Sequence, residues 1–118
     1  MAIGPYSHAV VAGGLLFCSG QIPLDPETGE LVEGGAGAQA ERCLHNLAAV
    51  CEAAGASLAD AARLTVYLTE LAGDWAEVNA AYAAFFEATD PPARAAVGVA
   101  ALPKGARVEI EAVVALTS

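Results

Sequence analysis

The chain has 118 residues, the length of one domain, and 56% of them are hydrophobic, with alanine prominent. Fourteen acidic side chains against five basic ones give a formal net charge of −9. That balance argues against polyanionic partners, because nucleic-acid binders release counterions from a basic stripe, and Arg42, Arg63, Arg94, Lys104 and Arg107 are scattered.

An anionic membrane surface would repel such a chain as well. No run approaches the roughly 20 apolar residues of a spanning helix. Met1-Ala2-Ile3-Gly4-Pro5 has neither the charged region nor the apolar stretch of a signal peptide, so a cytoplasmic protein is expected. Cys18, Cys43 and Cys51 are odd in number and lack C-x-x-C spacing. They read as buried thiols in a reducing compartment. The apolar excess points to a covered surface between subunits.

Residues 6–12 and 15–19 read as two strands around a Gly13-Gly14 hairpin turn. Asp25-Pro26-Glu27-Thr28-Gly29 is a turn cluster. Gly34 to Gly37 is a loop without the G-K-[ST] ending of a phosphate cradle. The spacing of Leu44, Leu47, Cys51 and Ala54 predicts a helix over 38–54, stopped by Gly55. Arg63 to Thr69 alternates as a strand: Leu64, Val66 and Leu68 on one face, Thr65, Tyr67 and Thr69 on the other. Asp74 is expected to cap a helix over 75–88, with Trp75, Val78, Tyr82, Phe85 and Phe86 as its core stripe.

Strands over 94–100 and 107–116 close the chain. In the first, Arg94, Ala96 and Gly98 share a face; in the second, Arg107, Glu109 and Glu111 oppose Val108, Ile110 and Ala112. The order β-β-α-β-α-β-β predicts a single-domain α+β sandwich over residues 1–118, a mixed sheet with two helices on one face. The other face is expected to carry Thr65, Tyr67, Arg94, Glu109 and Glu111, a half-polar surface suited to an oligomer interface with clefts.

Metal binding fails on ligand count, since His8 and His45 are isolated. The adjacency of Ser7 and His8 is no evidence for a Ser-His-Asp triad, because neighbouring strand residues point to opposite faces. Arg94 follows the rigid Asp90-Pro91-Pro92 turn. Its fork of donors suits a carboxylate clamp or a structural ion pair, and both roles stand open. Glu109 lies between Val108 and Ile110. Half-burial there would lift its pKa toward a useful acid/base range, or it pairs with Arg94 or Arg107. Asn79 lies in the apolar face of the second helix and needs partners.

Several segments together resemble the RidA/YjgF family. They are Ile3-Gly4-Pro5-Tyr6-Ser7, Ser19-Gly20-Gln21-Ile22-Pro23-Leu24-Asp25-Pro26, Thr28-Gly29-Glu30, Asn46-Leu47, Val78-Asn79-Ala80-Ala81-Tyr82, Pro92-Ala93-Arg94, Leu102-Pro103-Lys104 and Val108-Glu109-Ile110-Glu111. They span nearly the whole chain in the family's order. The resemblance implies a chorismate-mutase-like fold assembled as a homotrimer, with active sites between subunits. It implies a cofactor-free, metal-free deaminase that hydrolyses reactive 2-imino acids, formed from enamines released by pyridoxal-phosphate enzymes, to 2-oxo acids and ammonia. A trimer that only binds small carboxylates, or an endoribonuclease, are the alternative readings.

By the same resemblance, Arg94 binds the carboxylate and Glu109 positions water. Tyr6, Ser19, Gly20 (through its backbone) and Asn79 line the pocket. Ala96 stands where the family usually has cysteine, a position that acts through its backbone carbonyl. His8 stands where glutamine is common, and the N-terminus is shorter than is usual for the family.

Overall fold

Gly13 and Gly14 take φ of +59° and +76°, the left-handed pair a two-residue hairpin turn requires. They join β1 (Ala9–Ala12) to β2 (Leu15–Gln21), with Ala12 opposite Leu15. A computed structural model describes residues 7–116. After β2 come α1 (Ala36–Ala53), β3 (Ala61–Leu68), α2 (Leu71–Phe85), β4 (Ala93–Gly98) and β5 (Val108–Ala115). The sheet order is β1-β2-β5-β3-β4. Only the β3–β4 pair, joined through α2, is parallel. This is the expected mixed sheet with both helices on one face.

Helical and strand periodicities meet in one core. Leu44, Leu47 and Cys51 of α1 and Val78, Tyr82 and Phe86 of α2 and its end pack on Leu64, Val66, Leu68, Val108, Ile110 and Val114. Ala54, expected in the α1 stripe, lies just past the helix and is exposed, and Gly55 follows with φ +77° as the C-terminal stop. The three cysteines are buried and unbridged. On the opposite face Val10, Phe17 and Val97 remain 53%, 44% and 40% exposed.

Gly37 belongs to the first turn of α1 rather than to a loop, and a Cβ there would lie 3.3 Å from the Glu77 carbonyl oxygen. The missing side chain lets α1 approach α2 closely. Glu77 Oε1 then accepts the Ala36 N–H at 3.2 Å, an N-terminal cap supplied from the neighbouring helix.

The second helix corrects the sequence expectation. It begins at Leu71, four residues early, and Asp74 lies inside its first turn rather than capping it. The Asp74 carboxylate is instead committed to Arg107, whose Nη2 and Nε donate at 2.6 and 3.1 Å. Arg107 was expected on the face of Glu109. It lies before β5, and its side chain ties that strand's entry to α2. With the Asp74 side chain 8% exposed and Arg107 42% exposed, Asp74→Ala is expected to destabilise the fold by about 1–2 kcal/mol. Urea unfolding of the variant at neutral pH measures it.

Candidate active site

Arg94 is placed by β4. Pairing of Leu64 with Arg94 fixes it on the same face as Leu64, the helix-covered one. Because β4 is the sheet edge, the helices do not bury it, and Arg94 stays exposed. Three α2 residues at i, i+4 and i+7 meet it: Trp75, Asn79 and Tyr82. Nη1 donates to Asn79 Oδ1 at 2.8 Å, and Cζ lies 4.8 Å from the centroid of each aromatic ring. No ion pair engages Arg94 among the described residues. Its guanidinium borders a cleft of about 570 Å³ lined also by Asn79, Tyr82, Thr89 and Pro92. Ala96 shares the Arg94 face, opposite Val66.

A second cluster forms where β2 and β5 lose register between Cys18 and Gln21. Such a bulge redirects backbone and side chains. Ser19 is held by its N–H to the His8 carbonyl at 2.8 Å and by its hydroxyl to the Ser7 carbonyl at 2.6 Å. Gly20 faces Glu109 so closely that a Cβ would lie 2.9 Å from the carboxylate carbon. Glu109 pairs with Tyr67 across the β3–β5 ladder, and Glu111 lies two residues along the same face. The Tyr67 hydroxyl donates to Glu111 Oε1. Burial first, then the Glu111 charge, holds the Glu109 carboxyl above the ordinary value of 4.5. Beside this cluster, Gly20, His8, Gln21 and Asn46 line a groove of about 1220 Å³.

The two clusters do not meet within one chain. Arg94 and Glu109 were expected on one face, but pairing of Leu64 with Arg94 and of Tyr67 with Glu109 sets them on opposite faces. Neither expected ion pair of Glu109 is present: Arg107 bonds Asp74 and Arg94 bonds Asn79. Tyr6 lies outside the described residues. Asn79 joins Arg94, and Ser19 and Gly20 join Glu109. Sequence reading took Trp75 and Tyr82 for core alone and gave Glu111 no role beside Glu109. The i, i+4, i+7 spacing around Asn79 was the available signal. Among the described residues no group of three or more His, Cys, Asp or Glu could hold a metal ion, and no helix is long and apolar enough to cross a membrane.

Comparison with known proteins matches this architecture over the whole sheet. The family model described as endoribonuclease L-PSP covers residues 1–116. A RutC family protein of Sinorhizobium fredii is 55% identical over 116 residues, 98% of this chain and 90% of that protein. The human protein named 2-iminobutanoate/2-iminopropanoate deaminase is 46% identical over 112 residues, covering 95% of this chain and 80% of that protein. The crystal structure of RidA from an Antarctic Psychrobacter species superposes with a TM-score of 0.90 at 50% identity, covering 98% of this chain and 92% of that one. With the family model matched over residues 1–116, and with the relatives and the RidA structure similar over nearly the whole chain, the chain belongs to the RidA/YjgF family.

Proposed function

We propose that this protein hydrolyses 2-imino acids to 2-oxo acids and ammonia, as a homotrimer whose sites each combine the Arg94 cluster of one copy with the Glu109 cluster of another. The observation that carries this reading is Arg94. It is a guanidinium oriented by Asn79, without an ion pair among the described residues, beside a cleft in a chain of net charge −9. A small monoanion fits such a site; a polyanion is repelled by its surroundings. The opposite facing of the two clusters supports a second copy as the supplier of the missing half. The exposed Val10, Phe17 and Val97 support a covered open face.

In this reading Arg94 holds the substrate carboxylate by two parallel charge-assisted bonds. The reacting carbon is thereby fixed near a water held by Glu109 and by a backbone carbonyl at Ala96. The water oxygen bonds to C2, and the C=N π pair moves to nitrogen. Glu109 takes the water's proton and returns it to that nitrogen. Glu109 then takes the carbinolamine hydroxyl proton and passes it to the amino nitrogen; the freed O–H pair forms the C=O bond as the C–N bond breaks and its pair leaves on ammonia. Ser19 and Gly20 frame Glu109, Tyr6 closes the pocket, and the imine's own electrophilicity makes a cofactor unnecessary.

The test is ammonia release from 2-iminobutanoate generated in place by an amino-acid oxidase, with and without the protein. Acceleration over the spontaneous rate is expected. No acceleration, with 2-oxobutanoate still bound, would leave a carboxylate-binding protein. Native mass spectrometry is expected to give three times the chain mass; a monomer that retains full activity rules out the shared site.

A further inference from the structure

We propose that Trp75 is a positioning residue for the carboxylate clamp: with Tyr82 it holds the Arg94 guanidinium against two aromatic rings, leaving edge donors for a ligand. The inference rests on the deaminase reading only in taking a 2-oxo or 2-imino acid as that ligand. Trp75 and Tyr82 stand seven residues apart on α2, about 10.5 Å along the axis. Arg94 Cζ lies 4.8 Å from each ring centroid, so both rings are in cation–π range of the guanidinium.

A guanidinium stacks by its faces and donates along its edges. Two aromatic rings against the guanidinium can hold it without using one of its edge donors. Asn79 Oδ1 takes one edge donor from Nη1 at 2.8 Å. The donors that Asn79 does not use remain for a ligand in the cleft that Arg94 lines. Arg94 is an exposed, long side chain on an edge strand, and unrestrained it would sample many rotamers. Stacking and the amide bond restrict it before a carboxylate arrives, which lowers the cost of binding. Tyr82 contributes as a ring: its buried hydroxyl has no hydrogen-bond partner among the described residues. Trp75 supplies the stronger cation–π face of the two and is the partly exposed wall of the pair.

The experiment compares wild type, Trp75→Leu and Trp75→Phe for 2-oxobutanoate affinity by calorimetry and for kcat and KM with 2-iminobutanoate. Trp75→Leu is expected to raise Kd and KM together by about 3- to 30-fold, with kcat within about twofold, and Trp75→Phe to recover most of the loss. A merely structural role would lower kcat through the active fraction and leave KM in place. Trp75 is the sole tryptophan, so the wild-type protein gives a second reading. Its emission is expected to change on 2-oxobutanoate addition, with the calorimetric midpoint. Wild-type affinity in Trp75→Leu, or emission unmoved at saturating 2-oxobutanoate, overturns the proposal; if Trp75→Leu does not fold, the emission decides. Wild-type binding without ammonia release removes the deaminase reading and leaves this inference standing. Full activity with unchanged Trp75→Leu constants removes this inference alone.

Discussion

Arg94→Ala is expected to lower kcat/KM for 2-iminobutanoate by about 100- to 1000-fold, the loss of two charge-assisted bonds that also orient the reacting carbon. The fold should not suffer, because Arg94 is exposed and makes a single side-chain hydrogen bond, to Asn79. Circular dichroism and native mass are expected to match wild type. Arg94→Lys keeps the charge but not the planar fork, so it should recover only a small part of the activity. Wild-type kcat/KM in Arg94→Ala would remove Arg94 from the site.

Glu109→Gln is expected to reduce kcat by about 10²–10⁴-fold, the usual worth of a positioned proton acceptor. Its raised pKa sets the pH behaviour. The active form is the carboxylate, so the rate should climb with pH through a limb lying above 4.5. Glu111→Gln removes a like charge and is expected to move that limb to lower pH, while the burial contribution stays. Stability runs the other way. A carboxyl whose folded pKa exceeds its unfolded one makes the fold bind more protons, so stability falls as pH rises between the two values. Glu109→Gln should therefore be at least as stable as wild type at neutral pH, with the gain vanishing in acid below the unfolded value. Thermal melts at both pH values check it.

Gly20→Ala gives an independent view of the same carboxylate. The new methyl meets the flexible end of Glu109, which can swing aside, so the fold should survive while the carboxylate is displaced. Activity is expected to fall by about tenfold or more, in keeping with the sensitivity of catalysis to displacements near 1 Å. Full activity in Gly20→Ala would show that the observed approach of Gly20 and Glu109 is not used.

Periodicity in the sequence was enough for the element order and the face of most strands. Leu64, Val66 and Leu68, or Val108, Ile110 and Ala112, can only turn toward the helices, because burying the alternative polar set would cost too much. Gly13-Gly14 and Gly55 likewise carry their turns in their own backbone freedom. Helix starts were less legible. Asp74 looks like a cap in isolation, yet Arg107, 33 residues away, claims its carboxylate.

The site divides along the same line. Sequence by itself determined the family and the α+β class, and it singled out the two charged residues proposed for the chemistry, Arg94 and Glu109, with the uncharged Asn79, Ser19 and Gly20. It did not determine the side of the sheet on which Arg94 stands. In β4 every residue but Ala95 is exposed, so no buried apolar set anchors that strand's alternation to the core. Pairing with β3 alone decided it, placing Arg94 on the helix side against Trp75, Asn79 and Tyr82. That long-range contact separates Arg94 from Glu109 within one chain.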